Sequence, residues 1–463
     1  MAEIKHPKRA LSTNPLKSSA PLGAALAYLG IEGAVPLFHG SQGCTAFAMV
    51  HLVRHFKEAV PLQTTAMNEV STILGGAEQI EEAIENLRKK SNPKFIGIAS
   101  TALTETRGED VAGELKEITM RRTDFDDTKV VYASTPDFEG GLEDGWAKAV
   151  HAIIDALVPE VDPVMTNKDA RQVNLLCGSY LTPAEIDELV RLIRAFGLNP
   201  IVLPDISTSL DGHVSENWSG TSLGGTAIAD IPRVVESGFT LAIGESMRAS
   251  AKLIEDRGMV PYRVFQSVTG LKPVDAFVRT LMGLSGQQDA PPSVKKDRSR
   301  LLDASLDAHF HTGGLKLAIG ADPDLLFAMS NCLVGMGARV VTAVTTTTAN
   351  PIAEEVPTDE VLIGDLGDLE RSAKDTGAKI LITHSHGRHA AQRLHLPLLR
   401  AGFPIFDRLG AQDICRVGYR GTRSFLYEVA NIVQAQHHRA RPEDFGAAPI
   451  PEEFEHVPQI ATH

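Results

Sequence analysis

Val173-Asn174-Leu175-Leu176-Cys177, Thr182-Pro183-Ala184-Glu185 and Ile201-Val202-Leu203 stand in this order within 31 residues and read as strand, helix start and strand. The first and last runs are short and continuously apolar or nearly so, as strands buried on both faces are. Thr182 and Glu185 form a capping box, with proline at the first helical position. Behind them Ile186, Leu189, Val190, Ile193 and Phe196 recur at helical spacing, and Gly197 ends the helix. The same unit recurs along the chain. Apolar runs lie at Phe95–Ala99, Lys129–Ala133, Leu315–Ile319, Arg339–Val344, Val361–Ile363, Lys379–Thr383 and Phe403–Phe406. Asp322-Pro323 opens another helix, Leu325 to Met336, in the same style. Repeated βαβ units predict an α/β fold built on parallel sheets.

The chain has 463 residues, and at roughly 150 residues per domain it holds about three domains. Two stretches read as linkers: Val158–Lys168, with two prolines and two acidic residues, and Ser285–Arg300, with Gly, Gln, two prolines and alternating charge. The expected division is an arm at 1–19, then doubly wound, mostly parallel Rossmann-like domains at 20–165, 166–295 and 296–463. The last domain ends in a proline- and glutamate-rich tail expected to wrap a neighbour or stay mobile.

Acidic residues number 58 against 45 Lys and Arg, a net charge of −13. That balance argues against nucleic acid as a partner, which needs a basic stripe. No apolar run reaches the ~18 residues of a membrane span. Lys5, Lys8, Arg9 and Lys17 are not followed by the apolar stretch of a secretory signal. Cys44, Cys177, Cys332 and Cys415 lie far apart, with no close ligand pair. A reducing cytoplasm is the expected location.

Familiar nucleotide motifs are absent. Gly335-Met336-Gly337 follows a helix and precedes a strand, the reverse of a dinucleotide loop, and reads as a helix end. Cys177 and Cys332 lie in apolar segments and read as buried and inert, while Cys415 is undecided. His384-Ser385-His386-Gly387-Arg388-His389 follows a strand, where open α/β sheets bind ligands. His384, His386 and His389 are candidate cofactor-handling residues there; a polar turn that caps the next helix is the alternative. Cys44 ends His39-Gly40-Ser41-Gln42-Gly43-Cys44, whose glycines let the backbone turn tightly. It is a candidate metal ligand, and a structural thiol is the alternative.

Pro21-Leu22-Gly23-Ala24, Gly30-Ile31, Pro36, His39-Gly40-Ser41-Gln42-Gly43-Cys44, Arg54-His55-Phe56 and Pro61 together resemble the β-type branch of the nitrogenase component-1 family. Leu74-Gly75-Gly76, Glu105 with Gly108-Glu109-Asp110, and Thr135-Pro136-Asp137-Phe138 extend the match. The resemblance implies three α/β domains over the whole chain. In the catalytic β subunit of that family three cysteines bind half of an eight-iron cluster. The corresponding positions here are Ser19, Cys44 and Ala102, and a serine that also binds that cluster is Asp137. One thiolate does not hold half of such a cluster, but it completes a [4Fe–4S] cluster whose other ligands come from a partner.

The resemblance therefore implies a cofactor-assembly member of the branch, with no catalytic residue and no independent activity. The implied partners are a NifE-like α-type subunit in an α2β2 heterotetramer, the ATP-dependent nitrogenase Fe protein and a precursor cluster made by NifB. The implied cofactors are the shared [4Fe–4S] cluster, with Cys44 as ligand, and a transient iron–molybdenum cofactor precursor. Cys44 is expected at a helix N-terminus, since Phe47, Val50 and Val53 form an apolar stripe behind it. His39, Ser41 and Thr45 are candidates to hydrogen-bond around the cluster, or ordinary turn caps. Other readings stay open: the catalytic β subunit, a vanadium-system counterpart, the matching subunit of dark-operative protochlorophyllide reductase, and an α/β small-ligand module without metal.

Overall fold

The computed structural model describes residues 1–6, 12, 14–68, 76–125, 127–162, 167–214 and 218–437. Its strands are β1 (Glu3–Lys5), β2 (Ala34–His39), β3 (Gln63–Thr64), β4 (Phe95–Ser100), β5 (Lys129–Ala133), β6 (Asp169–Cys177) and β7 (Asn199–Leu203). They continue as β8 (Ser237–Ile243), β9 (Tyr262–Phe265), β10 (Lys316–Gly320), β11 (Arg339–Thr345), β12 (Glu360–Ile363), β13 (Ile380–Thr383) and β14 (Leu398–Arg400). They form three sheets, ordered β3-β2-β4-β5, β7-β6-β8-β9 and β1-β12-β11-β10-β13-β14. Every ladder is parallel, with helices between the strands. The α/β expectation is met.

The unit around Thr182 forms as its sequence dictates. Thr182 Oγ1 accepts from Glu185 N at 3.2 Å, and Glu185 Oε2 accepts from Thr182 N at 2.9 Å. The helix Pro183–Ala195 follows, and Gly197 at φ +72° ends it. The helix Pro323–Val334 likewise ends at Gly335, with Gly337 at φ +87°, so this stretch is a helix end.

Each sheet runs outward in both directions from a central pair: β2/β4, β6/β8 and β10/β13. Strand order reverses at those pairs, and the loops beyond their C-terminal ends are where this architecture leaves a crevice. The loop after β2 leads to Cys44, and the loop after β13 begins at His384.

Close helix contacts bring the N-terminal part of the chain to this crevice. The helices Ala20–Leu29 and Leu142–Leu157 meet at two glycines. A Cβ at Gly23 would lie 1.9 Å from Leu142 O, and one at Gly145 would lie 1.8 Å from Ala20 O. Trp146 Nε1 then donates to Cys177 O at 2.8 Å, joining this helix to the second sheet.

The arm is tied down: Glu3–Lys5 pairs in register with Glu360–Leu362, and Leu16 is buried under the third sheet. Two expectations differ from the fold. Phe403–Phe406 is a loop, because Pro404 has no N–H and the N–H groups of Ile405 and Phe406 go to His55 Nδ1 (2.8 Å) and Ser385 Oγ (3.0 Å). Ser285–Arg300 is mostly helix: Pro292–Thr312 is one element, buried along Val294, Leu301, Ala304 and Ala308. The C-terminal tail lies outside the described residues, as do Leu74 and Gly75. Among the described residues no helix is long and apolar enough to cross a membrane.

Candidate metal centre

His39 ends β2 and is fully buried. Its Nε2 is 2.9 Å from Glu109 Oε2 and its Nδ1 is 3.1 Å from Thr65 Oγ1. Glu109 is also paired with Arg107. Burial keeps His39 below the usual histidine range despite the carboxylate beside it. The ring therefore donates from Nε2 and accepts at Nδ1. Gly76 packs on this ring, where a Cβ would come within 2.6 Å. Gly40 is required next, because a Cβ there would lie 2.2 Å from Thr101 Oγ1. Thr101 Oγ1 in turn donates to His39 O at 3.1 Å.

Ser41 then caps the helix Gln42–Phe56 in extended conformation. Cys44, the third residue of that helix, is exposed, and its Sγ lies 3.7 Å from Ser41 Oγ. A helix N-terminus favours negative charge placed against it. The apolar stripe behind Cys44 points outward: Phe47 is 70% and Val50 50% exposed. Thr45, Ala48, Leu52, His55 and Phe56 make the buried face instead. Thr45 Oγ1 is buried without a partner. Of the three residues proposed around the sulfur, only Ser41 touches it directly; His39 holds the turn from beneath.

Arg54, His55 and Phe56 bind this helix to the loop after β14. The Arg54 guanidinium lies 4.1 Å from the Phe406 ring centre, and His55 packs on Phe403 with ring centroids 4.8 Å apart. Burial pushes His55 down to about 3, which suits its role as acceptor for Ile405 N.

Cys44 opens on a cavity of about 390 Å³ whose walls include Ser19, His51, Asp137, His384 and His386. Ser19 is the N-cap of the helix Ala20–Leu29, and Asp137 Oδ2 accepts from Ala102 N at 3.2 Å. Ser19, Cys44, Asp137, His384 and His386, all singled out by sequence, thus meet around one space. His384 is buried and pushed down to about 4. Its Nε2 donates to Leu16 O at 3.0 Å and its Nδ1 accepts from His386 N at 3.3 Å, so it caps its turn. His386 faces the cavity, with its ring centroid 4.8 Å from that of Phe406. His389 is exposed, is not among the cavity-lining residues, and contacts Arg388. His51 was missed. Its spacing of seven from Cys44 places it on the same helix face, which was legible.

Cys177 and Cys332 are buried, and burial pushes Cys332 up to about 12. Cys415 is half-buried and also pushed up to about 12. Cys44 alone is exposed. Among the described residues no three His, Cys, Asp or Glu side chains gather as a metal site.

A family model described as nitrogenase component 1 type oxidoreductase matches residues 19–434. The chain belongs to that family. Within the nitrogenase component 1 family, it is 72% identical over the full length of both chains to the nitrogenase iron-molybdenum cofactor biosynthesis protein NifN of Rhodobacter capsulatus. It is 49% identical to the NifN protein of Mesorhizobium japonicum, covering 99% of each chain. Among solved structures it is similar to a chain of nitrogenase Cp1 at pH 6.5, with TM-score 0.87 and 29% identity over 96% of this chain and 98% of that one. The component-1 fold expected from sequence is therefore the fold of this chain.

Proposed function

We propose that this chain is the NifN-type subunit of the scaffold on which the iron–molybdenum cofactor of nitrogenase is matured. Its role in iron–molybdenum cofactor biosynthesis is supported by full-length identity of 72% to a relative bearing that name. The observation that carries the site reading is the lone exposed thiol of Cys44, at a helix N-terminus and at the mouth of a cavity. Ser19 and Ala102 offer no sulfur beside it. This donor set fits one corner of a [4Fe–4S] cluster and does not fit half of an eight-iron one. The remaining ligands come from a NifE-like subunit seated on the Phe47 and Val50 face, as exposed apolar patches mark such surfaces. A cluster there supplies an electron relay. This chain's own part is to present Cys44, hold its turn through His39 and Glu109, and exclude water with His386, Phe406 and the arm. His384, His386 and His389 form the loop proposed to handle the maturing cofactor, with His386 facing the cavity.

The assembly is an α2β2 heterotetramer in the cytoplasm. It accepts a precursor from NifB, docks the ATP-dependent Fe protein while molybdenum and homocitrate are inserted, and passes the product to cofactor-free nitrogenase. The test is in vitro maturation. The complex of this chain with its α-type partner, loaded with precursor, is incubated with Fe protein, MgATP, molybdate and homocitrate. Activation of cofactor-free nitrogenase is expected. Acetylene reduction by the complex itself at nitrogenase rates would instead mark a catalytic subunit.

A further inference from the structure

A second apolar face lies far along the chain from Cys44. On the helix Pro292–Thr312 the buried side is Val294, Leu301, Ala304 and Ala308. The opposite side exposes Leu302, Leu306 (71%) and Phe310 (86%). These recur every four residues and so form one stripe. Beside it runs a charged stripe of four exposed residues, Lys296, Arg300, Asp303 and Asp307. The two cations come first and the two anions last.

That order makes the face complementary to itself. When two helices pack antiparallel, each flank meets the same flank of the other helix with its order reversed. Around a two-fold axis near Leu302, Arg300 of one copy lies opposite Asp303 of the other, and Lys296 lies opposite Asp307. The leucine stripes close between them. An isologous contact of this kind closes after two copies and leaves no open end. A surface meant for a different protein needs no such internal reversal. We propose that the helix Pro292–Thr312 is the contact between two copies of this chain, joining two αβ pairs into the tetramer. This rests on the heterotetramer reading above and is independent of Cys44.

The complex with the α-type partner is isolated anaerobically and its mass measured by native mass spectrometry. The parent complex is expected at 2:2. Leu306→Asp/Phe310→Asp is expected to halve the mass to 1:1 while keeping the iron per αβ pair. Arg300→Asp is expected to weaken the tetramer, and Arg300→Asp/Asp303→Arg to restore it, a rescue that general misfolding does not give. A 1:1 parent complex, a doubly substituted variant that stays 2:2, or a variant that sheds the α-type partner overturns the proposal. A parent complex that is 2:2 but lacks iron contradicts the cluster reading and leaves this one standing.

Discussion

Asp137, in the wall of the cavity that Cys44 opens, accepts a hydrogen bond at Oδ2 from the backbone N–H of Ala102 at 3.2 Å. Both residues occupy positions where the resemblance to the catalytic subunit places cluster ligands. Here the carboxyl instead satisfies the first N–H of the helix Ala102–Arg107, one of the donors that a helix start leaves open. Asp137→Ala is therefore expected to lower stability by about 1 kcal/mol, the usual worth of such a cap, and to leave iron content unchanged. Thermal unfolding and iron analysis of the complex check this; lost iron would make Asp137 a ligand.

The Phe47 and Val50 face is expected to be covered by the partner. Phe47→Asp puts a charge where an apolar contact forms, and truncation at a central aromatic of an interface costs about 2 kcal/mol or more. Co-purification of the α-type partner is expected to fall at least ~30-fold in affinity by the same figure. The fold of the chain itself should be untouched, because Phe47 takes no part in the core. Circular dichroism separates the two effects.

His55 offers a different check. Its Nδ1 is the acceptor for Ile405 N, inside a packed region. His55→Ala leaves that N–H buried without a partner and removes a ring, at about 1–3 kcal/mol for the unmet donor alone. Hydrogen exchange at Ile405 and Phe406 is expected to rise first, since these two backbone donors are held by side chains and not by a ladder.

Glu185 carries a pH dependence. Burial pushes its carboxyl up to about 7, with Arg416 N donating to Oε1 at 2.9 Å. A carboxyl raised in the folded state contributes stability in full below its unfolded value, about 4.3. That contribution is lost as pH rises toward 7. The buried histidines His55 and His384, pushed down in the folded state, act in the opposite sense. Comparing Glu185→Gln with the parent cancels them. The variant is expected to gain on the parent by about 1.4 kcal/mol per pH unit between pH 5 and 7. Parallel unfolding curves over that range would show that Glu185 is ionised throughout.

Much of the fold was legible because its signals are local. The Thr182–Glu185 box needs only four residues, and most of the apolar strands announce themselves. β2 escaped because Pro36 interrupts it. β1 escaped because three residues of mixed polarity carry no period. Phe403–Phe406 looked like a strand because periodicity does not reveal that His55 and Ser385 take its N–H groups. The stripe of Phe47, Val50 and Val53 was visible, but spacing shows that a face is apolar and not what covers it. Cys44, Ser19, Ala102 and Asp137 were individually readable. That Cys44, Ser19 and Asp137 gather with His51 and His386 around one cavity depends on the crossing of two helices at Gly23 and Gly145, which no short window contains.

The central claim concerns one sulfur. The complex carrying Cys44→Ala is to be purified anaerobically with its α-type partner, and its iron counted beside the reduced S = 1/2 signal per αβ pair. Loss of the relay cluster's iron and of its signal, with both subunits still joined, is the expected result. Unchanged iron and an unchanged signal would contradict the account.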